Sequence, residues 1–511
     1  MHNTTKYLKP LLVLVMLASM VLPVHTLAQT DDGERISKGD FHTLYRYAAD
    51  TWQSFVAMAS PTTGLPADNL SAEGVRSAYT SPTNIGTYLW STIVARDLRL
   101  ISRQEARERI SAALDSVAQL ERHEASGQFY NWYHPDTLEL LTEWPDSGDP
   151  IYPFLSSVDN GWLAAALIIV NHAEPRLRSQ SQAILADMNF GSYYDPEVGQ
   201  IRGGFWDAEP PGCAVAGTVG DSNVFFTCHH YGAFNTEPRI ASYIGIAMGD
   251  IPPEHYFRTW RTFPDTCDWS WQEMKPGGEW HTYMGVEVFA GHYTYRGMRI
   301  VPTWGGSMFE ALMVPLLIPE EDWGPHSWGI NHPLYVQAQI EHGLEEAQYG
   351  YWGFSPSNNP AGGYREYGVD AIGMDSAGYT SNQERTSSDY GFTGCPDREP
   401  QPLPTPEDYT NGVVTPHASF LALDFAPRAT LDNLDNLQQD FDIYGEYGFY
   451  DAVNVDTGEV SQYYLALDQG MIMAAIGNEL RQNRLQHYFT RGAVERHVRP
   501  LIEMEVFTAG E

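Results

Sequence analysis

Residues 157–171 of this 511-residue chain read Ser-Val-Asp-Asn-Gly-Trp-Leu-Ala-Ala-Ala-Leu-Ile-Ile-Val-Asn, and they decide the fold class. From Trp162 to Val170 no side chain carries a charge or an amide, so a helix formed here has no polar face to turn toward water. Asp159 stands just before this run, where a carboxylate accepts hydrogen bonds from the first N–H groups of a helix. The pattern predicts a helix buried inside a helical protein.

Helical patterns recur on both sides of this stretch. Residues 102–121, for example, begin at a serine with Glu105 three residues further on, and they place their apolar side chains on one face. Few segments alternate apolar and polar residues as a half-buried strand does. These patterns predict an all-α protein, and the alternation of long and short helices favours an α/α toroid with long loops. The predicted helices are residues 41–59, 85–98, 102–121, 162–171, 179–188, 238–248, 307–317, 334–346, 416–423, 431–442, 464–479 and 493–503.

The first residues of the chain predict export. Two lysines precede a mostly apolar stretch from Pro10 to Val24, and Thr26-Leu27-Ala28 supplies the small residues that a signal peptidase reads. An uncleaved membrane anchor is the alternative, but the apolar run is short for a bilayer span. We therefore predict a signal peptide over residues 1–28, a single domain over residues 29–511, and a secreted or periplasmic protein.

The chain is strongly acidic, with 30 Lys and Arg residues against 65 Asp and Glu residues and a formal net charge of −35. Nucleic acid and anionic lipid carry the same sign of charge, so such a surface repels both. We expect no nucleic-acid partner and, once the signal peptide is removed, no association with a membrane.

Four cysteines, Cys213, Cys228, Cys267 and Cys395, allow three disulfide pairings in an oxidising compartment. A local Cys213–Cys228 bridge with a long Cys267–Cys395 bridge is the natural choice, and the other pairings remain open. None of the four lies in a CxxC pair, so we expect no zinc–thiolate site. We predict no metal and no cofactor.

Several carboxylates share one local context, because each lies near the start of a predicted helix among glycine and aromatic residues. For any one of them alone, helix capping is the commonest role. A toroid, however, brings together the loops at one end of its inner helices, so the whole set would line one acidic cleft. These carboxylates are Asp159, Glu237, Glu310, Glu366 and Asp468.

An acidic cleft of this kind suits the hydrolysis of glycosidic bonds. One carboxylic acid protonates the leaving oxygen, and a second carboxylate attacks the sugar or activates water. Aromatic rings with a polar edge stack on sugars, although each could instead be a core residue. Other chemistries lack their motifs here: a Gly-rich phosphate loop after a strand, a GxSxG elbow and an HExxH zinc site. The candidate stacking residues are Trp162, Trp304, Trp352 and Tyr364.

The same segments resemble, in order, the motifs of a bacterial glucoamylase-like domain that also occurs in cyclic β-1,2-glucan synthases. An upstream run is similar to the helical segment that precedes this domain, so the resemblance spans about residues 45–480. It implies a single (α/α)6 toroid. The upstream run is residues 81–86 (SPTNIG), 129–133 (FYNWY) and 157–162 (SVDNGW). The motifs of the domain are residues 234–243 (FNTEPRIASY), 249–252 (GDIP), 305–313 (GGSMFEALM), 351–355 (YWGFS), 414–418 (VTPHA) and 467–470 (LDQG).

The resemblance implies glycoside hydrolysis, and endo-β-1,2-glucanases are the best-understood hydrolases of the family. By position, Glu237 matches the proton donor and Asp468 matches the base that activates water. Asp159 and Glu310 would lie in the same cleft, where they would position sugar hydroxyls or tune the acid.

The residues together favour a secreted glycoside hydrolase that acts on a glucan, with an endo-β-1,2-glucanase as the specific expectation. Two alternatives remain open: a non-catalytic carbohydrate-binding protein and a transglycosylase on the same fold. Ser355-Pro356 replaces a Ser-Glu pair of the synthases, which argues against any role that needs that glutamate. We expect a monomer whose partner is a polysaccharide or oligosaccharide.

Overall fold

Helices form the framework of the computed structural model, which describes residues 36–267, 272–374, 380–381, 394–396 and 404–510. The predicted signal peptide lies outside these residues. No helix in the described ranges combines the length and the apolarity that crossing a bilayer requires. The α-helices of the described chain are α1 (Lys38–Met58), α2 (Pro82–Leu98), α3 (Arg103–Val117), α4 (Ser157–Ala173), α5 (Arg178–Leu185), α6 (Arg239–Met248), α7 (His255–Arg258), α8 (Met308–Leu312), α9 (Glu320–Trp323), α10 (Trp328–Glu341), α11 (Pro416–Leu421), α12 (Pro427–Asp440), α13 (Ala466–Arg481), α14 (Arg484–Thr490) and α15 (Ala493–Met504).

The apolar stretch of the sequence forms α4, which is buried along almost its whole length, as predicted. The Ser156 hydroxyl accepts a hydrogen bond from the Asp159 N–H at 3.2 Å and caps the helix. Glycines let the neighbouring helices come close on both sides. A Cβ at Gly86 of α2 would lie 2.9 Å from the Trp162 carbonyl oxygen, and a Cβ at Gly161 would lie 3.1 Å from the Ala241 Cβ in α6.

Six helices contact one another in a closed ring. Within the described chain, α2 packs against α4, α4 against α6, α8 against α11, α11 against α13, and α13 returns to α2. Arg239 closes the remaining step, because its guanidinium donates to the carbonyl oxygens of Glu310 (3.0 Å) and Ala311 (2.7 Å) in α8. Outer helices cover this ring: α1 and α3 pack on α2, α5 on α4, α15 on α6, α10 on α8 and α12 on α11. The helical framework is therefore as predicted.

The all-α prediction was too narrow, since short strands fill many of the loops. Most are two or three residues long, and segments of that length carry no detectable period. The longest, Val286–Tyr295, does alternate between buried and less buried residues, so its pattern was overlooked. The sheets are Phe154–Ser156, Gly204–Trp206, Ser222–Thr227 and Ala214–Val219 in that order; Gly277–Tyr283, Val286–Tyr295 and Met298–Ile300; Val413–Val414, Ala452–Asn454 and Val460–Ser461; and the pairs Asn69–Ser71 with Tyr463–Leu465, Tyr194–Asp195 with Gln200–Ile201, Thr303–Trp304 with Gly373–Met374, Ser357–Asn358 with Tyr364–Arg365, Tyr367–Gly368 with Thr380–Ser381, and Tyr444–Gly445 with Gly448–Phe449.

Most predicted helices have somewhat different bounds in the structure, and for two of them the physical reason is clear. The helix predicted over residues 464–479 begins at Ala466, because Tyr463–Leu465 pairs as a strand with Asn69–Ser71. The helix predicted over residues 307–317 ends as α8 at Leu312, and a 3₁₀ turn with Pro315 near its start follows.

Both disulfides favoured by the sequence are present. Cys213–Cys228 joins residues at the two ends of a β-hairpin, with 15 residues of sequence separation. Cys267–Cys395 spans 128 residues of sequence.

The close contact between α2 and α4 predicts that a methyl group added at Gly86 destabilises the fold. Gly86→Ala should lower the free energy of unfolding by about 1–3 kcal/mol, because the new Cβ meets a backbone oxygen that cannot move aside cheaply. Urea denaturation followed by circular dichroism measures this. Gly39→Ala is the matched control in α1, where the nearest atom would be the Ser37 hydroxyl at 3.5 Å, and it should leave stability unchanged or slightly higher. A Gly86→Ala variant as stable as the control would contradict the close contact.

Candidate active site

Two adjoining cavities meet at Glu237. One measures about 510 Å³ and the other about 400 Å³, and both fall within the usual range of ligand pockets. Among the described lining residues, Glu237 is the one that both cavities share. The first cavity is also lined by Asp68, Tyr79, Trp132, Trp144, Asp159 and Tyr364, and the second by His229, His230, Trp260, Trp304, Glu310 and Glu366.

Glu237 is held at both its backbone and its side chain in the turn that precedes α6. The backbone N–H of Glu237 donates to the Glu310 carboxylate at 2.8 Å. The Trp162 indole N–H donates to the Glu237 carboxylate at 2.7 Å. The side chain is half-buried. Burial, followed by the neighbouring Glu310 carboxylate, raises the pKa of Glu237 well above its ordinary value. A carboxyl group in this state holds its proton to a higher pH than an ordinary glutamic acid does, and it can donate that proton.

Glu310 lies in the first turn of α8 and lines the second cavity. Its N–H donates to the Ser307 hydroxyl at 3.4 Å, so the residue is part of a helix cap. Capping is the commonest role of a carboxylate at this position of a helix. Glu310 is more than a cap, however, because its carboxylate faces Glu237. Burial raises the pKa of Glu310 to about 7, against the opposing effects of the Glu237 N–H and Arg239.

A buried ion pair fixes the turn that carries Glu237. The Arg239 guanidinium donates to both carboxylate oxygens of Glu320 at 2.9 Å and to the Thr236 carbonyl oxygen at 2.8 Å. Glu320 also accepts from the Tyr243 hydroxyl at 2.7 Å and contacts the His332 ring at 3.1 Å. Burial alone would raise the pKa of Glu320, but Arg239 and these hydrogen bonds hold it at about 2. This pair was not predicted from the sequence.

Asp159 and Asp68 supply two further carboxylates to the first cavity. Asp159, at the start of α4, accepts from the Thr83 hydroxyl at 2.6 Å and from the Asn131 amide at 3.0 Å. Asp68 was missed. It accepts from the Asn84 amide at 2.7 Å and from the Asn69 amide at 3.0 Å, and burial raises its pKa. Its one sequence signal is an Asp-Asn dipeptide like that of Asp159-Asn160, which is too short to identify a site.

Asp468, the predicted base, lies behind the cavity wall. Its side chain is 2% exposed, and it is absent from the described residues that line either cavity. A carboxylate oxygen of Asp468, a carboxylate oxygen of Asp451 and a ring nitrogen of His417 all lie within 4.8 Å of one another. The two ring nitrogens of His417 also contact the hydroxyls of Thr415 and Ser355.

The predicted aromatic platforms divide into two groups. Trp304 is half-buried in the wall of the second cavity, Tyr364 is 51% exposed beside the first, and the exposed Glu366 also lines the second. Trp162 and Trp352 are each 1% exposed, so neither presents a ring face to a sugar, and their prediction as platforms is corrected. Both lie in the core because their flanking residues are apolar and the helices enclose them.

Three aromatic residues form one wall of the first cavity, and they were not predicted from the sequence as stacking residues. The rings of Tyr79, Trp132 and Trp144 contact one another with centroid distances of 5.2–5.6 Å, and all three are half-buried. Trp132 belongs to one of the motifs that carried the resemblance, whereas Tyr79 and Trp144 stand in loops without a pattern.

Comparison with known proteins is consistent with this architecture. Residues 276–493 match the Glycoamylase family model, described as "Putative glucoamylase", and residues 46–200 match a family described as "Protein of unknown function (DUF3131)". The resemblance to the glucoamylase-like family is confirmed. The first cavity draws Asp68 and Asp159 from the region of unknown function and Tyr364 from the glucoamylase-like region, while Glu237 lies between the two.

One relative and one solved structure match most of the chain, and a second relative matches a quarter of it. A cyclic β-(1,2)-glucan synthase of Rhizobium meliloti is 23% identical over 93% of this chain, and an exo β-1,2-glucooligosaccharide sophorohydrolase of Parabacteroides distasonis is 28% identical over 25% of it. The matches span only 19% and 16% of those relatives' own lengths. The structure of an endo-β-1,2-glucanase from Chitinophaga pinensis covers 90% of this chain and 98% of its own, with a TM-score of 0.60 and 17% identity. This last likeness shows a shared fold.

Breaking the buried pair beneath Glu237 should destabilise the protein. Glu320→Gln leaves the Arg239 charge buried without a counter-charge, which costs about 3–5 kcal/mol of unfolding free energy at pH 7. The folded-state pKa is lower than the ordinary 4.5, so the stabilisation is complete above pH 4.5 and disappears as the pH falls through about 2. Denaturant titration of both proteins at several pH values measures the difference.

Glu503→Gln is the control, because Glu503 pairs with Arg499 on the exposed face of α15. It should leave the unfolding curve unchanged. Equal stability of the Glu320 and Glu503 variants would show that the buried pair does not anchor the turn.

Proposed function

We propose that this protein is a glycoside hydrolase that cleaves a glucan outside the cytoplasm, on an (α/α)6 toroid. The observation that carries the proposal is the position of Glu237, a carboxyl group of raised pKa at the junction of two cavities. A chain of sugars lying through both cavities would have one glycosidic oxygen beside Glu237 and sugar units on either side. Aromatic and carboxylate side chains line both cavities, which suits sugar rings and their hydroxyls.

We propose a β-1,2-linked glucan as the substrate. The relatives support this choice, since the synthase, the sophorohydrolase and the endoglucanase are all named for β-1,2-glucans. The chain matches under a fifth of the synthase's length, so synthesis is not carried over. Two disulfides support a location outside the cytoplasm, where oxidised cysteines persist. We expect the working form to be a monomer.

In this proposal Glu237 is the general acid. It gives its proton to the glycosidic oxygen as the bond to the sugar C1 breaks, and the bonding electron pair stays on that oxygen. Water attacks C1 and loses a proton to a second carboxylate, so the net reaction adds one water across the bond. Glu310 supports the acid, because a charged neighbour makes ionisation of Glu237 unfavourable.

Asp468 is the proposed base. Because its side chain is 2% exposed, it acts through an intervening water rather than by touching the sugar. Asp68 and Asp159, which line the first cavity, would hold that water and the hydroxyls of the bound sugar.

The first test is release of reducing ends from linear β-1,2-glucan, with β-1,3-glucan and α-1,4-glucan as alternatives. The purified wild type should act on the β-1,2-linked polymer. Glu237→Gln should lose about 10²–10⁴-fold in kcat and still bind the glucan, because it removes the proton and little of the shape. Glu503→Gln should keep full activity.

Binding without any release of sugar by wild type would instead indicate a carbohydrate-binding protein. Transfer products without new reducing ends would indicate a transglycosylase. Either outcome would overturn the hydrolase.

The hydrogen bond from Trp162 predicts a change in pH dependence. The indole N–H stabilises the charged form of Glu237, so Trp162→Phe should raise the pKa of the acid further and move the alkaline limb of the kcat/KM profile up by about one pH unit. Trp352→Phe changes an equally buried tryptophan that hydrogen-bonds through its backbone to Asn433, and the limb should stay in place. If both variants shift the limb equally, Trp162 does not tune the acid.

A further inference from the structure

We propose that Asp451 is a positioning residue that shares one proton with Asp468 and so keeps the pair singly charged. The catalytic meaning of this pair rests on the proposed function, whereas the shared proton does not. Neither the sequence nor the comparisons pointed to Asp451.

Packing forces the two carboxylates together. Asp451 precedes the strand Ala452–Asn454, and Asp468 lies in the first turn of α13. Each side chain is 2% exposed. Asp451 accepts the N–H of Asn358 at one oxygen, but its other oxygen and both oxygens of Asp468 have no hydrogen-bond partner among the described atoms. Two buried acceptors that face each other can be satisfied by one proton between them.

Among the described residues, no positively charged side chain lies beside the pair to replace that proton. Asp68 adds further negative charge on the cavity side, and Tyr364 is neutral. His417 approaches Asp468 at 3.5 Å, but burial lowers its pKa to about 3, so it stays uncharged. Two charged carboxylates here would repel each other in a dry environment.

The directions of the shifts agree with this geometry. Burial, with smaller opposing hydrogen bonds, raises the pKa of Asp451 to about 6, and burial followed by Asp451 raises that of Asp468 well above its ordinary value. Both shifts favour retention of a proton by the pair.

A shared proton explains how a buried residue can serve as a base. Burial alone would neutralise a lone Asp468 and leave it unable to accept a proton. A protonated partner that donates a hydrogen bond keeps one negative charge on the pair. During turnover the pair takes the proton of the attacking water, becomes neutral, and returns that proton to solvent.

The stability experiment tests the shared proton without any substrate. The folded pair has raised pKa values, so its stabilisation is complete below the unfolded values near 4 and is lost as the pH rises through the folded ones. Asp451→Asn should therefore flatten the fall of unfolding free energy with rising pH, from about pH 4 upward through the folded values, by a slope equivalent to about one proton. Asp468→Asn removes the same pair from the other side and should flatten it equally.

Asp432→Asn, an exposed change on α12, is the control and should follow wild type. Metal analysis of purified wild type accompanies the titration. The proposal is overturned if the Asp451 and Asp468 variants keep the wild-type slope, or if one equivalent of metal is present and disappears in Asp451→Asn.

Activity then tests the positioning role. Asp451→Leu removes the proton donor, so the acidic limb of the kcat/KM profile should move up by about one pH unit or more. Asp451→Asn keeps a hydrogen-bond donor, so its acidic limb should lie close to that of wild type. Equal limbs in the two variants would refute the role. If no glucan is hydrolysed but the stability slopes change as expected, the shared proton stands and the proposed function fails.

Discussion

The Arg239 guanidinium, buried at the start of α6, is the interaction on which the rest of the structure depends. It closes the helix ring by binding carbonyl oxygens of α8, and it binds the carbonyl oxygen of Thr236 next to the acid. A buried ion pair such as Arg239–Glu320 is weak support for stability in itself, because both charges lose their water. Its value here is geometric, since one cation fixes the backbone that carries both Glu237 and Glu310.

The site concentrates like charge where water is scarce. Glu237 and Glu310 form a half-buried pair of carboxyl groups, and Asp451 and Asp468 form a buried pair. The pKa values are raised in both pairs. Such groups cost stability, and perturbed carboxyls gathered beside a cavity are typical of catalytic sites. Glu320 has the opposite arrangement, with a cation and a lowered pKa, and serves structure. The contrast separates the carboxylates proposed to act in catalysis from the one that holds them in place.

The sequence predicted what local pattern controls. The apolar run of α4 identified a central helix, and the helical framework followed from caps and periodicity. Asp68 and Asp451 could not be found this way, because each stands beside a short strand and reaches the site only through long-range packing. Trp162 was misjudged for the same reason. Its motif placed it near the acid, but only the packing of α4 shows that its ring is buried and its N–H holds Glu237.

The central claim is that Glu237 is the acid between two sugar-binding cavities. The most direct measurement is a crystal structure of the Glu237→Gln variant soaked with a linear β-1,2-glucan oligosaccharide. The account predicts one unbroken chain through both cavities, with a glycosidic oxygen within hydrogen-bond reach of Gln at position 237 and sugar rings against Trp132 and Trp304. An oligosaccharide bound in one cavity alone, or at another surface, would contradict it.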